Sequence, residues 1–377
     1  MLDLKVIRDD IDRIDDNIQK LFEERMALCE KVADYKIKTG KKVFDKEREL
    51  AKLKVFKEKA SDPFTEKGIT ELFQQIMSIS RKRQYQLLTE NGIEDDTGYR
   101  LVDEIPRENV KVVYQGVEGA YSYAAMQTYF GKNVDNFNVE TWRDAMEAIK
   151  NGDADYAVVP IENSTAGIVA DIYDLLVEYR CNIVGEQIIK VAHVLMGVPG
   201  SKLSDIKRVC SHPQALSQCR PYIESHEGWT EKEMLNTAVA ARKVRADGRK
   251  DQAAIGSAHA AECFGLEILD EHISTSETNS TRFIIISKKR IYTKEADKIS
   301  ICFEIPHESG SLYNTLAHFI YNDLSMTKIE SRPIPEKNWE YRFFVDFDGN
   351  LSDSAVKNAL RGVEQEAGAL IVFGNYR

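Results

Sequence analysis

Several things are missing from this chain, and each absence narrows what it does. No apolar run approaches the roughly 20 residues that cross a bilayer, so no membrane segment is expected. The first residues, MLDLKVIRDDID, hold no apolar signal core, which sets the expectation of a cytoplasmic protein. The six cysteines (29, 181, 210, 219, 263 and 302) form no CxxC pair and show no metal-ligand spacing. Reduced thiols, no metal and no cofactor are expected. A basic excess is missing too. The net charge is −10, whereas a nucleic-acid binder needs a basic face for phosphates. There is no Walker motif. Gly116-Val-Glu-Gly119 follows an apolar run but lacks the third glycine of a dinucleotide fingerprint, and reads equally as a tight turn into a helix over 120–130. A length of 377 residues exceeds one ordinary core and implies two or three domains.

Three patterned regions are present. Residues 1–90 read as helix. Leu4, Ile7, Ile11, Ile14, Ile18, Leu21, Leu28, Val32 and Tyr35 keep the 3-4 alternation of a coiled-coil seam. A second helix is expected over about 45–60 and a third to about residue 88, divided by Ser61-Asp-Pro63. Residues 91–109 are polar, acidic and aperiodic, a linker. From 110 to 290 short strands (110–114, 157–161, 208–210, 253–255, 283–286) alternate with amphipathic helices, the mark of an α/β domain with largely parallel strands. The last segment, 297–377, reads strand-helix-strand-strand-helix-strand, the ferredoxin-like order of an α+β unit.

In the helical region, Arg25 falls where the seam calls for an apolar residue between Leu21 and Leu28. A guanidinium there is costly unless paired. Lys36, 11 residues on, shares its helix face, and Arg48 follows in Asp45-Lys-Glu-Arg-Glu49. Converging cations in an apolar bundle suit a small polyanion; a buried ion pair is the plainer alternative. Arg8 flanks the same seam but precedes Arg25 by 17 residues, roughly 25 Å of helix. One small ligand cannot reach both on one straight helix, so a shared site requires Arg8 from a second chain, in an interlocked helical dimer. The set Arg8, Arg25, Lys36, Asp45-x-x-Arg48-Glu49 and Ser80-x-x-x-Gln84 resembles the all-helical chorismate mutases over the whole segment. The resemblance implies rearrangement of chorismate to prephenate without covalent or acid–base steps. It also implies roles: Arg8 and Arg25 on carboxylates, Lys36 and Gln84 on the ether oxygen. Asp45, Glu49 and Ser80 would hold the hydroxyl and ring, oriented by Arg48.

In the α/β region two polar strings stand beside apolar runs: Glu162-Asn-Ser-Thr165 after a strand, and Thr278-Asn-Ser-Thr-Arg-Phe283 with Glu277 ahead of it. Both contain N-x-[ST], but a cytoplasmic chain does not meet glycosylation machinery. As turn chemistry, Ser164 or Thr165 caps a helix over 166–179. Ser211-His-Pro-Gln-Ala215 reads likewise as a cap at Ser211 with Pro213 in the first turn. As function, three polar strings at strand ends form one cleft. With Gly116-x-x-Gly119-x-x-Ser122, Leu216-x-Gln218-Cys219 and Asn236-Thr-Ala238, these strings resemble the prephenate dehydratases. That implies a two-lobed domain like a type II solute-binding protein, which removes carbon dioxide and hydroxide from prephenate to give phenylpyruvate. Glu162, Asn163, Ser164, Thr165, Ser211, Gln214, Thr281, Arg282 and Phe283 would then line the cleft. Thr281 would assist the leaving hydroxyl, a protonated Glu162 in a dry cleft is a second acid candidate, and Arg282 would anchor a carboxylate. His212 reads as structural.

The last segment has no nucleophile, metal set or acid–base pair. Glu330-Ser331-Arg332-Pro333 and Gly310-Ser311-Leu312-x-x-x-Leu316 resemble the ACT domains, amino-acid sensors. Ser311 replaces the usual alanine. The implied effector is L-phenylalanine. Together the segments resemble the fused chorismate mutase–prephenate dehydratases, a homodimer or larger homo-oligomer. The alternatives are an arogenate-preferring dehydratase and a non-catalytic sensor on the same folds.

Overall fold

A computed structural model of the chain describes residues 3–93, 96–276, 278–335, 337 and 339–377. Glu277 of the second polar string and Glu94 and Asp95 of the linker lie outside the described residues. The chain forms two compact units: residues 3–97 with 298–372, and residues 98–297 with 373–377.

The first unit begins with three helices, α1 (Leu4–Thr39), α2 (Lys46–Lys59) and α3 (Pro63–Glu90). Their ends follow capping chemistry. Asp3, Asp45 and Asp62 each accept a backbone N–H of the first turn, Pro63 takes the first turn of α3, and Gly40 closes α1 at φ 68°. Helix α1 has 36 residues, about 54 Å, yet buries only Ala33. Its apolar seam, from Leu4 to Tyr35, is 38–64% exposed.

The second unit starts inside the segment read as a linker, which contains β1 (Arg100–Val102). It continues β2 (Lys111–Gln115), α4 (Tyr121–Phe130), β3 (Asp135–Val139), α5 (Trp142–Asn151), β4 (Tyr156–Asn163), β5 (Gly167–Ile168), α6 (Ala170–Tyr179) and β6 (Asn182–Lys190). The chain then crosses to a second lobe: β7 (His193–Gly197), β8 (Arg208–Ser211), α7 (Pro213–Gln218), α8 (Arg220–Glu224), β9 (Thr230–Glu233), α9 (Thr237–Asp247), β10 (Gln252–Ser257), α10 (Ala258–Phe264) and β11 (Glu267–Asp270). It returns through β12 (Ser280–Ser287) and β13 (Ile291–Thr293), which pairs in parallel with β1. The lobes carry sheets of order β3-β2-β4-β12-β6 and β11-β7-β10-β8-β9. The expectation of largely parallel strands is corrected. Each sheet is mixed, because β12 and β7 run antiparallel to both neighbours. These are the strands at which the chain changes lobes, where no crossover helix imposes parallel pairing. In the second lobe Ala254 joins a core with Met196 and Val244, and its neighbours Ala253 and Ile255 join one with Leu216 and Ile223. A sheet buried on both faces reads as a continuous apolar run.

The final segment supplies β14 (Lys298–Glu304), α11 (Ser311–Tyr321), β15 (Met326–Pro333), β16 (Tyr341–Asp348), α12 (Ser354–Glu366) and β17 (Ala369–Tyr376). Its sheet order is β15-β16-β14-β17. Helix α12 lies along α3. Tyr85 Oη donates to Gln365 at 3.1 Å, and Arg361 Nη1 donates to Tyr85 O at 3.3 Å.

Candidate functional site

Two clusters of sequence-selected residues assemble, one in each unit. In the first, Lys36 near the end of α1 reaches across to α3. Its ammonium donates to Gln84 Oε1 at 3.1 Å and to Val43 O at 2.7 Å. One α1 segment earlier, Arg25 donates to Ser80 Oγ. Gln84 Nε2 in turn donates to Ser80 O at 3.1 Å, one turn back on α3. Burial pulls the Lys36 ammonium below the usual lysine range, and the nearby carboxylates of Asp45 and Glu49 oppose it. Asp45 caps α2 by accepting the Arg48 N–H at 3.1 Å. Arg48 itself is exposed. Glu49 is gripped by Arg81, a residue that periodicity gave no reason to select. Arg8 stands exposed far up α1, away from this cluster, as its 17-residue separation from Arg25 requires.

In the second unit, antiparallel pairing of β4 with β12 explains the near-repeat of Asn-Ser-Thr. Asn163 at the end of β4 lies opposite Thr281 at the start of β12, and Glu162 lies opposite Arg282. Asn163 Nδ2 donates to Thr281 Oγ1 at 2.9 Å and to Asn279 Oδ1 at 2.8 Å. Its Oδ1 accepts Thr165 Oγ1 at 2.8 Å and the Thr165 and Ala166 N–H groups at 3.1 and 2.9 Å. This is an Asx turn, and it replaces the expected helix cap. Helix α6 starts later, after β5, with Val169 as an N-cap that makes no side-chain hydrogen bond. Ser164 Oγ instead accepts the Ser280 N–H at 2.9 Å, tying the strings together.

The second lobe meets this wall through Gln218, which donates from Nε2 to Thr165 Oγ1 at 3.1 Å. Gln218 Oε1 lies 3.0 Å from His193 Nε2, and His193 Nδ1 lies 3.2 Å from Tyr121 Oη. With Nε2 protonated both contacts are satisfied. Burial holds His193 below the ordinary histidine range, with the Gln218 contact opposing. Neither His193 nor Tyr121 belongs to the polar strings that sequence reasoning selected. His193 sits where β6 hands the chain to β7, a position no local pattern marks. Beside it a cavity of about 290 Å³ is lined by Lys190, His193, Glu271, His272 and Ser274. The glycine motif is a turn: Gly116 and Gly119 have φ 111° and 79°. A Cβ at Gly119 would stand 3.0 Å from the Ala260 backbone, so α10 could not approach.

Four expectations change. Ser211 is fully buried and donates to Ile255 O at 2.7 Å, so its hydroxyl serves the second lobe's sheet. The cap of α7 is His212, whose Nδ1 accepts the Gln214 N–H at 3.2 Å. Phe283 is a core residue packed with Val112 and Tyr114. Successive strand residues face opposite ways, which turns Glu162 and Arg282 from the Asn163–Thr281 face. Arg282 lies between Glu162 at 3.5 Å and Glu186 at 3.4 Å, so carboxylates of its own chain engage it. Glu162, 38% exposed and paired to a cation, is not the dry carboxyl that an acid role requires. Gln214 is exposed at the start of α7.

In the final segment Gly310 opens α11 at φ 85°, with Ser311 and Leu312 in its first turn. Glu330, Ser331 and Arg332 lie on β15, an end strand of its sheet.

Comparison with known proteins matches both segments in which the clusters lie. A family model described as chorismate mutase type II matches residues 7–85, and one described as prephenate dehydratase matches 112–291. A bifunctional chorismate mutase/prephenate dehydratase of Enterobacter agglomerans is 31% identical over 99% of this chain and 95% of its own. Arogenate dehydratase 3 of Arabidopsis thaliana is 38% identical over 71% of this chain and 67% of its own. The crystal structure of an Arthrobacter aurescens prephenate dehydratase in complex with L-Phe is 31% identical. It aligns with a TM-score of 0.65 over 71% of this chain and 90% of that one.

Proposed function

We infer the course of two reactions from one premise: this chain belongs to the bifunctional chorismate mutase/prephenate dehydratases. It is an enzyme of phenylalanine biosynthesis that rearranges chorismate to prephenate and converts prephenate to phenylpyruvate.

Residues 1–90 carry the first step. The observation that supports this reading most is the contact of Lys36 with Gln84, 48 residues apart in sequence, beside that of Arg25 with Ser80. The rearrangement breaks a carbon–oxygen bond and forms a carbon–carbon bond within one molecule. The site therefore has only to fold the substrate and stabilise charge on the ether oxygen. Lys36 and Gln84 turn from each other to that oxygen, Arg25 takes a carboxylate, and Glu49, Asp45 and Ser80 hold the hydroxyl and ring. A second copy of the chain covers the exposed seam of α1 and brings its Arg8 to the site. Because Lys36 must be protonated to donate, lowering its pKa moves the loss of charge to lower pH. The alkaline fall of mutase kcat/KM is expected below the ordinary lysine value of 10.5. A flat profile to that pH would remove Lys36 from the role.

Residues 110–290 carry the second step between their two lobes. Thr281 Oγ1 accepts from Asn163 at 2.9 Å, which leaves its own O–H to donate to the ring hydroxyl as it departs. Carbon dioxide leaves in the same process and the ring becomes aromatic. Residues 297–377 form a sensor of the ACT type that takes L-phenylalanine at Gly310–Leu312 and Glu330–Arg332. The L-Phe in the Arthrobacter dehydratase supports the choice of effector.

Purified protein given chorismate should accumulate prephenate and then phenylpyruvate, with less of the latter when phenylalanine is added. No rearrangement, or no response to millimolar phenylalanine, would overturn the corresponding part. The similarity to an arogenate dehydratase favours running arogenate in parallel. Faster turnover of arogenate would reassign the second substrate.

A further inference from the structure

Helix α3 carries two polar faces. Ser80 and Gln84, four residues apart, look toward Arg25 and Lys36. Arg81 begins a second face about 100° round, continued by Tyr85 and Thr89. That face lies against α12, where Thr89 Oγ1 donates to Asn358 Oδ1 at 2.6 Å. Arg81 joins the two faces. It is only 7% exposed, and the ring of Phe44 lies 4.9 Å from its guanidinium carbon. Its Nη1 donates to Glu49 Oε2 on α2, and its Nε donates to Glu366 Oε1 on α12 at 2.8 Å. His318 of α11, fully buried, places Nε2 3.0 Å from the same Glu366 oxygen. Gly362 makes room for it, since a Cβ there would come within 2.3 Å of His318 Nδ1.

A buried guanidinium is tolerated when its charge is matched, and a planar fork held by two carboxylates has a fixed orientation. Held by Glu49 alone, it would pivot about that contact and carry the Glu49 carboxylate with it.

We propose that Arg81 is a positioning residue for the rearrangement: it sets the Glu49 carboxylate against the substrate, and Glu366 of the C-terminal segment sets Arg81. The proposal rests on the reading of Glu49 as a substrate-holding residue. The mutase site is thereby completed by a residue from the far end of the chain. Neither Arg81 nor Glu366 touches the substrate.

The test uses the full-length protein, with mutase and dehydratase activity measured separately. Glu366→Gln keeps the shape but not the charge. Mutase kcat/KM should fall roughly tenfold, mostly through KM, and dehydratase turnover of prephenate should stay at the wild-type level. Placed on Glu49→Gln, the same change should cost nothing further, because Glu366 acts only through Glu49. Arg81→Lys keeps a charge without the fork and gives the same answer if Glu366→Gln fails to fold. An impaired Glu49→Gln with a normal Glu366→Gln would overturn the proposal alone, as would a second full loss in the double variant. Wild-type mutase activity in Glu49→Gln would overturn the site reading and this proposal with it.

Discussion

Replacing Thr281 by alanine should lower turnover of prephenate roughly a thousandfold and leave the chorismate rearrangement untouched. The threonine stands at the start of β12, where the register sets it opposite Asn163. Asn163 donates to its oxygen at 2.9 Å, which leaves the hydroxyl proton available to donate. A threonine hydroxyl is a weak acid, so the role proposed for it is to hydrogen-bond the departing oxygen or pass a proton to it. Thr281→Ser keeps the hydroxyl and should keep most of the activity, which separates proton donation from packing. Both variants are read by phenylpyruvate formation from prephenate, with chorismate disappearance as the control. Equal loss in serine and alanine variants would move the role from the hydroxyl to the methyl group. Glu162 is a poor substitute, being turned to Arg282 and 38% exposed.

Arg8→Ala and Arg25→Ala proteins should each lose nearly all mutase activity, yet co-expressed chains should regain about a quarter of the wild-type level. Random pairing makes half of the dimers mixed, and each mixed dimer has one site with both arginines and one with neither. The separation of 17 residues on a straight helix, roughly 25 Å, forbids one chain from supplying both. The uncovered seam of α1 shows where a second chain has room. Chains of an interlocked dimer would not exchange freely, so the two variants are to be made together rather than mixed after purification. Mutase activity no higher than in the parent variants would mean that both arginines serve one chain, or that Arg8 serves no site.

Much of this was legible in the sequence because the patterns were local. The alternation of apolar residues placed α1, and Ser61-Asp-Pro63 placed the break between α2 and α3. In the final segment the expected order of strands and helices is the order found. Arg25 and Lys36 were visible because cations interrupt an apolar seam. What escaped was set at long range. Parallel or antiparallel pairing depends on where the chain changes lobes, and this left the direction of β12 misjudged and β7 without any expected strand. Ser164 and Ser211 fit capping patterns, but β5 delays α6 and His212 takes the cap of α7. Phe283 and Arg282 sit beside Thr281 in sequence, yet strand alternation and a bulge send one to the core and the other to two carboxylates. His193 and Arg81 have no local signal, because their partners lie 25 and 285 residues away.

The interleaving of the two units has a consequence for synthesis. Residues 3–97 and 298–372 build one unit, and residues 98–297 with 373–377 build the other. Arg81 therefore leaves the ribosome 285 residues ahead of Glu366, a wait of tens of seconds at ordinary elongation rates of about 5–20 residues per second. During that wait the three helices carry a polar face on α3 made for a helix that does not yet exist. The middle unit is contiguous except for residues 373–377, so nearly all of it has been made before α12. The first segment made is thus among the last to be finished. A nascent chain that stops short of α12 leaves that helical face open to solvent, chaperones and proteases.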